Sequence, residues 1–250
     1  MFEVEVADVD PFRSLVKALS AVLDEGCFEA DDGGIRLTAM DSSHVAMVDF
    51  ELPSSFFDSY QCEGEKRITV RVGEFVKFLD RVERDEQVKI SLEEDEARLA
   101  IQCRGGGHTR RFGMPVLEPL EEEVPQPQVS FKASARILTQ SLRRAIRDAS
   151  LVSEHVGVEA SDDHLKISAA GEMGAAFSVW EKGADDLLEL EAEEESSSTY
   201  SLRHLRDIVN AASTSSEVAI LMLSTEMPIK MEFQLPQGRL VYYLAPLIGA

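Results

Sequence analysis

Cationic side chains recur along this chain at helical spacing, and what such an array suits is holding phosphate. Over residues 134–149 (SARILTQSLRRAIRDA), a helix at 100° per residue puts Arg136, Gln140, Arg143 and Arg147 in one stripe, with Arg144 at its margin. Leu138, Ser141, Leu142, Ala145 and Ala149 fall opposite, so one face can bury while the guanidiniums point away. Three other stretches follow the same design. Residues 11–23 line up Arg13, Lys17 and Ser20; residues 73–82 carry Lys77 and Arg81, with Arg84 just beyond; residues 201–212 carry Arg203 and Arg206 beside Asn210. These four stretches hold ten basic and four acidic residues, and the rest of the chain fifteen and forty-two. If the four helices line one surface, it faces phosphates from inside an acidic body; solvated helix faces with no partner are the plainer alternative.

Other constellations carry less. Asp41-Ser42-Ser43-His44 places an acid, two hydroxyls and an imidazole within four residues, which invites comparison with a hydrolase site. A working triad needs its base oriented by a third group and an oxyanion pocket, usually from distant segments, whereas Asp and Ser are ordinary turn formers. We therefore expect no catalytic residue, and His44 reads as a surface residue. The acidic runs at 93–96 and 121–123 match no metal-ligand loop. Gly105-Gly106-Gly107 lacks the Lys-Ser/Thr of a phosphate-cradling loop. Cys27, Cys62 and Cys103 are odd in number and far apart, so neither a zinc site nor a disulfide framework is expected. No cofactor is implied.

Helices that carry such stripes need strands and a core to hold them. With 250 residues there is room for one large or two ordinary domains. A net charge of −21 argues against a polyanionic partner except through the segregated stripes, and predicts weak, salt-sensitive, sequence-independent contact. The opening MFEVEVADVD does not read as a signal peptide and no run of 18 apolar residues occurs, so an intracellular, reducing setting is expected. Residues 2–6 alternate as a strand, and Asp10-Pro11 sets a helix start. Short strands are predicted at 27–30, 34–40, 45–52, 67–72, 87–92, 97–103 and 109–117. Residues 117–129 (LEPLEEEVPQPQV) then read as an extended linker.

After that linker the plan repeats. An offset of 130 sets Val72, Phe75, Phe78 and Leu79 against Leu202, Leu205, Ile208 and Val209. It also sets Val88, Ile90 and Leu92 against Val218, Ile220 and Met222, and Ile35 and Leu37 against Leu165 and Ile167. For the first helix of each half an offset of 123 pairs Leu15, Leu19 and Leu23 with Leu138, Leu142 and Ile146, which assigns the seven-residue difference to a longer connection around 150–155. Four matched elements in one order indicate a duplicated α+β domain.

Specific strings then point to a family. GIRLTAMDSSHVAMVDFEL (34–52), AIRDASLVSEHV (145–156), KISAAGEMG (166–174), EMPIKMEF (226–233) and GRLVYYLAP (238–246) resemble the sliding clamps of the proliferating cell nuclear antigen family, in an archaeal-like form. The resemblance spans essentially the whole chain. Leu247 stands where members usually carry a basic residue, and the sequence stops at Gly249-Ala250 without their acidic tail.

The resemblance implies two similar domains of the DNA-clamp fold, 1–117 and 130–250, joined by a connector at 118–129, with antiparallel sheets outside and two helices per domain inside. Three subunits would close a pseudo-six-fold ring around duplex DNA, as a homotrimer or with related subunits. The DNA-facing set would be Arg13, Lys17, Lys77, Arg81, Arg84, Arg143, Arg144, Arg147, Arg203 and Arg206. A groove for partner peptides would comprise Met40, His44, Val45, Leu120, Val124, Pro228, Tyr243, Ala245 and Pro246. Residues 109–117 and 174–180 match the family's subunit-contact strands. Implied partners are double-stranded DNA, a DNA polymerase, a clamp loader, flap endonuclease and DNA ligase, in the nucleoid-bearing cytoplasm of an archaeon or the nucleus of a eukaryote. The alternative is a ring-forming adaptor or checkpoint-type subunit without a direct replicative role.

Overall fold

Alternation begins at once: Phe2, Val4 and Val6 are buried while Glu3 and Glu5 are partly exposed, the pattern of a strand with one face on a core. The computed structural model describes residues 1–93, 97–119, 124 and 127–248. The chain divides into one unit of residues 1–42, 48–124 and 236–239, and another of 43–47, 125–235 and 240–250.

In the first unit, β1 (Phe2–Val6) leads to α1 (Val9–Ser20), β2 (Glu25–Ala30), β3 (Gly34–Met40), β4 (Ala46–Pro53), β5 (Ser59–Cys62) and β6 (Lys66–Arg71). Then come α2 (Val72–Leu79), β7 (Gln87–Glu93), β8 (Arg98–Gly105) and β9 (His108–Pro115). Strands β5-β1-β7-β8-β9 are neighbours in one sheet, and β4-β3-β2-β6 follow one another in a second. Antiparallel registers such as Val4↔Ile90 and Ile90↔Ile101 stack buried residues on a common face. Helices α1 and α2 pack on each other and bury Phe12, Leu15, Val16, Leu19, Val72, Phe75 and Leu79.

The second unit repeats this plan. It runs through β10 (Ala133–Leu138), α3 (Thr139–Ala149), β11 (His155–Ala160), β12 (His164–Gly171), β13 (Gly174–Glu181), β14 (Leu187–Ala192) and β15 (Ser196–Ser201). It closes with α4 (Leu202–Ala212), β16 (Val218–Leu223), β17 (Ile229–Phe233) and β18 (Arg239–Leu244). Neighbours are β14-β10-β16-β17-β18 and β13-β12-β11-β15, again five strands and four. Helices α3 and α4 pack together as α1 and α2 do.

Three sequence expectations are corrected. The helix expected over 134–149 is a strand to Leu138 and a helix only from Thr139, because Ala133, Ala135 and Ile137 bury with period two. The offset of 123 for the first helices is wrong. Val9, Phe12, Leu15, Val16 and Leu19 match buried Thr139, Leu142, Ala145, Ile146 and Ala149, an offset of 130, so no seven-residue difference exists. The β7 match is one residue out of register: buried Val88 and Ile90 correspond to buried Ala219 and Leu221, while Val218, Ile220 and Met222 turn to the other face.

Candidate nucleic-acid interface and peptide groove

Asp8 caps α1, its carboxylate accepting from the Asp10 amide at 3.1 Å, and this orients the first turn. One turn on, Arg13 leans across to α2. Its Nε donates to the Leu79 carbonyl at 2.9 Å, Nη2 to the Val82 carbonyl at 2.7 Å and Nη1 to Asp10 at 2.8 Å, with Asp80 3.8 Å away. The guanidinium thus adds a second donor to the Leu79 carbonyl, which already accepts the Val82 amide at 3.1 Å, and supplies one to the Val82 carbonyl. Lys17 pairs with Asp80 at 2.6 Å, and Arg84 with Asp10 at 3.5 Å. Among the described residues, Lys77 and Arg81 are exposed and meet no acid.

The second helix pair is also bridged by an arginine, but to a side-chain amide instead of backbone carbonyls. Arg143 on α3 donates through Nε to the Asn210 amide oxygen on α4 at 2.9 Å, and Nη1 lies 3.5 Å from the Gln140 amide oxygen. Gln140 in turn reaches the Ser213 carbonyl at 3.4 Å. Arg144, Arg147 and Arg203 have no acidic partner among the described residues, while Arg206 pairs with its neighbour Asp207 at 3.1 Å. Arg136, expected in the stripe, sits instead on β10, paired with Glu189 at 3.1 Å and Gln234 at 3.0 Å. All ten cations of the expected set lie on the four helices or the turn that follows α2. Sequence reasoning missed the partners: Asp10 and Asp80 in one unit, Gln140 and Asn210 as their counterparts in the other. The signal was present in the 130-residue offset.

Of the groove residues, Met40 and Val124 belong to the first unit, and His44, Val45, Pro228, Tyr243, Ala245 and Pro246 to the second; Leu120 lies outside the described residues. The second-unit members converge. Val45 accepts from the Ala245 amide at 2.9 Å, and Ile229↔Leu244 and Lys230↔Tyr243 pairing brings Pro228 beside the end of β18. Val45, Pro228, Tyr243, Ala245 and Pro246 are half-buried, and His44 is exposed with φ 55°. Such a partly apolar surface suits an apolar side chain of a visiting segment. Among the described residues no group of three or more His, Cys, Asp and Glu is arranged to hold a metal ion.

Two strand edges stand out through the duplication. Residues Ala46–Phe50 of β4 and Leu240–Tyr242 of β18 are buried, yet their counterparts β13 and β9 are exposed along most of their length. On β13, Phe177 is 75 % exposed and Val179 41 %. Each bare strand is tied to a cationic helix. Arg110 of β9 grips buried Glu86 and donates to the Arg81 carbonyl at 2.8 Å, while Phe112 packs on Phe78 of α2 at 5.6 Å. Hydrogen bonding from Arg110 holds the Glu86 carboxyl below the usual carboxylate range. On the other side, the Trp180 indole donates to Ser141 of α3 at 3.1 Å, and Ser141 donates to Asp186 at 2.8 Å.

Comparison with known proteins adds to this geometry. The proliferating cell nuclear antigen N-terminal domain description matches residues 1–108, and its C-terminal domain description matches residues 126–247. The chain is similar to the DNA polymerase sliding clamp of Thermofilum pendens, 33 % identical over 240 residues covering 96 % of each chain. It is also similar to DNA polymerase sliding clamp 1 of Thermococcus kodakarensis, 34 % identical over 248 residues, 99 % of this chain and 98 % of the other. The crystal structure of a Thermococcus kodakaraensis proliferating cell nuclear antigen superposes with a TM-score of 0.92 at 25 % identity, covering 99 % of this chain and 100 % of that one. That from Entamoeba histolytica superposes at 0.91 with 20 % identity over 99 % of both, a likeness of fold.

Proposed function

The chain belongs to the proliferating cell nuclear antigen family, and from that premise we propose how it acts: as a DNA polymerase sliding clamp, a processivity factor with no chemistry of its own. Its partners are DNA and a polymerase. We extend this to three copies closed into a ring, each β9 pairing antiparallel with β13 of the next copy, residues 118–129 connecting the two clamp domains. The bare edges of β9 and β13 support this reading, since an open edge templates aggregation unless it is paired or covered. The helices would face the hole. Their cations would make it hospitable to phosphates without gripping any sequence, and the acidic remainder would repel DNA elsewhere.

The half-buried surface around Val45, Pro228, Tyr243 and Ala245, with Met40, His44, Leu120, Val124 and Pro246, is the proposed seat for peptides of polymerase, flap endonuclease and ligase. A clamp loader would open the ring. Among the described residues no helix is long and apolar enough to cross a membrane, and we place the protein with the DNA of its cell. The observation that carries the proposal is the segregation of cations onto four paired helices within a chain of net charge −21. Its test is polymerase stimulation by the purified protein alongside its solution mass. About three chains and increased product length are expected. A monomer that leaves product length unchanged refutes a ring of three identical copies, and undiminished stimulation by a triple Arg143→Glu, Arg144→Glu, Arg147→Glu variant that still assembles refutes the DNA-facing role of the α3 arginines.

A further inference from the structure

The two helix pairs are built on one plan, yet they differ in charge at two equivalent positions. The 130-residue offset that superposes the buried residues of α1 on α3 and of α2 on α4 also superposes Arg13 on Arg143, Asp10 on Gln140 and Asp80 on Asn210. In both units the arginine bridges its own helix and the neighbouring one. Besides the Leu79 and Val82 carbonyls, its side-chain partners in the first unit are carboxylates, Asp10 at 2.8 Å and Asp80 at 3.8 Å; in the second they are amides, Asn210 at 2.9 Å and Gln140 at 3.5 Å. A carboxylate cancels the guanidinium charge, whereas an amide oxygen accepts the hydrogen bond and leaves the full positive charge in place.

The neighbours follow the same rule. Lys17 is paired with Asp80, but Arg147, its counterpart, meets no acid among the described residues because Asn210 stands where Asp80 stood. Helices α1 and α2 with the turn to Arg84 hold five cations against Asp10, Glu74, Asp80 and Glu83. The counterpart α3, α4 and following turn have five cations against only Asp148 and Asp207.

We propose that phosphate contact is carried chiefly by the second unit, through Arg143, Arg144, Arg147 and Arg203, because Arg13 and Lys17 of the first unit are neutralised by Asp10 and Asp80 and leave it Lys77, Arg81 and the exposed, loosely paired Arg84. Equivalent arginines bridge both helix pairs, with carboxylates beside the one in the first unit and amides beside the one in the second. Duplex DNA would then be touched at three strongly cationic patches of the ring, alternating with three weakly cationic ones. This rests on the clamp reading above.

The test exchanges acids and amides while keeping their shape. Binding of a labelled linear duplex to the full-length protein is measured by fluorescence anisotropy from about 50 to 200 mM NaCl, where the logarithmic slope shrinks by about 0.9 for each phosphate that is no longer neutralised. The variants are Gln140→Glu with Asn210→Asp, and Asp10→Asn with Asp80→Asn. The first pair is expected to weaken binding about tenfold at the low-salt end and flatten the slope; the second is expected to strengthen binding and steepen it. Equal weakening by both pairs, or no change from either in variants that retain wild-type mass and melting temperature, would overturn the proposal. If one pair fails to fold, the other decides the sign by itself. Failure of the ring reading looks different: wild-type protein would bind the linear duplex yet show no retention on circular DNA even after incubation with its clamp loader and ATP.

Discussion

Replacing Arg13 with alanine removes the guanidinium that closes α1 against the end of α2. The side chain is only 17 % exposed, and its two carbonyl partners, on Leu79 and Val82, lose donors at 2.9 and 2.7 Å. Hydrogen bonds from a charged donor contribute about 1.5–3 kcal/mol each. The Leu79 carbonyl keeps the Val82 amide at 3.1 Å, water can replace part of the remaining loss, and the Asp10 pair adds little because that carboxylate is partly solvated. A net cost of about 2–4 kcal/mol follows. For a chain of this size ~1 kcal/mol corresponds to about 2–4 °C in Tm, so a fall of roughly 4–16 °C is expected. Arg143→Ala is the matched control: it gives up only side-chain amide partners and should cost about 1 kcal/mol. Thermal unfolding followed by circular dichroism, at fixed protein concentration because assembly shifts Tm by mass action, compares the two. A change of less than about 2 °C for Arg13→Ala, or a larger loss for Arg143→Ala, would refute the assignment of Arg13 as a structural clamp.

The first unit's core holds a cavity of about 30 Å³ lined by Phe2, Val4, Phe12, Phe28, Phe50 and Phe75 among others. Val4→Ile should fill much of it and stabilise by at most ~0.7 kcal/mol at ~24 cal/mol per Å³; destabilisation in urea titration would mean the space cannot admit a methylene. His164 faces Glu159 at 2.9 Å and Asp163 at 2.6 Å, with Ser161 and Lys166 beside them. Hydrogen bonding first to Glu159 and then to Asp163 raises its pKa above 6.5, so its contribution is complete below that value and fades as pH rises through the raised one. The depressed Glu159 and Asp163 keep the cluster charged until the pH falls below the ordinary carboxylate range. His164→Gln should therefore lower Tm near pH ~5.5 and leave it nearly unchanged at pH ~9; equal losses at both would contradict the ion-pair account. Tyr243→Ala should weaken binding of partner peptides by roughly tenfold without altering solution mass, as for an aromatic lining residue of a peptide site. Unaltered peptide affinity by calorimetry would remove Tyr243 from the groove.

The helices α2 and α4 were legible because Phe75, Leu79, Leu205 and Val209 recur at helical spacing behind clear strand-to-helix transitions. The start of α3 was not. Its preceding residue Leu138 offers no side-chain cap, and the SARIL segment satisfies a helical stripe and a strand alternation equally well until burial decides. The same ambiguity misplaced Arg136, whose strand position gives it Glu189 as a partner. The one-residue error in the β16 match is invisible in the sequence because Val218, Ile220 and Met222 are as apolar as Ala219 and Leu221. For the site, cation positions could be read from spacing. Neutralisation could not, since Asp10 and Asp80 belong to different helix ends and reach Arg13 only once these pack together. The proposed peptide groove draws on segments far apart in sequence, and only the family resemblance united them.

On the proposed reading, this protein holds DNA by enclosing it rather than by gripping it. The decisive experiment loads the protein onto a nicked circular plasmid with its clamp loader and ATP, removes unbound protein by gel filtration in high salt, and then linearises the DNA. Retention on the circle through the high-salt step, followed by rapid release once ends are cut, is the predicted result. Escape from the circle in high salt, or equal retention on circle and linear DNA, would contradict it.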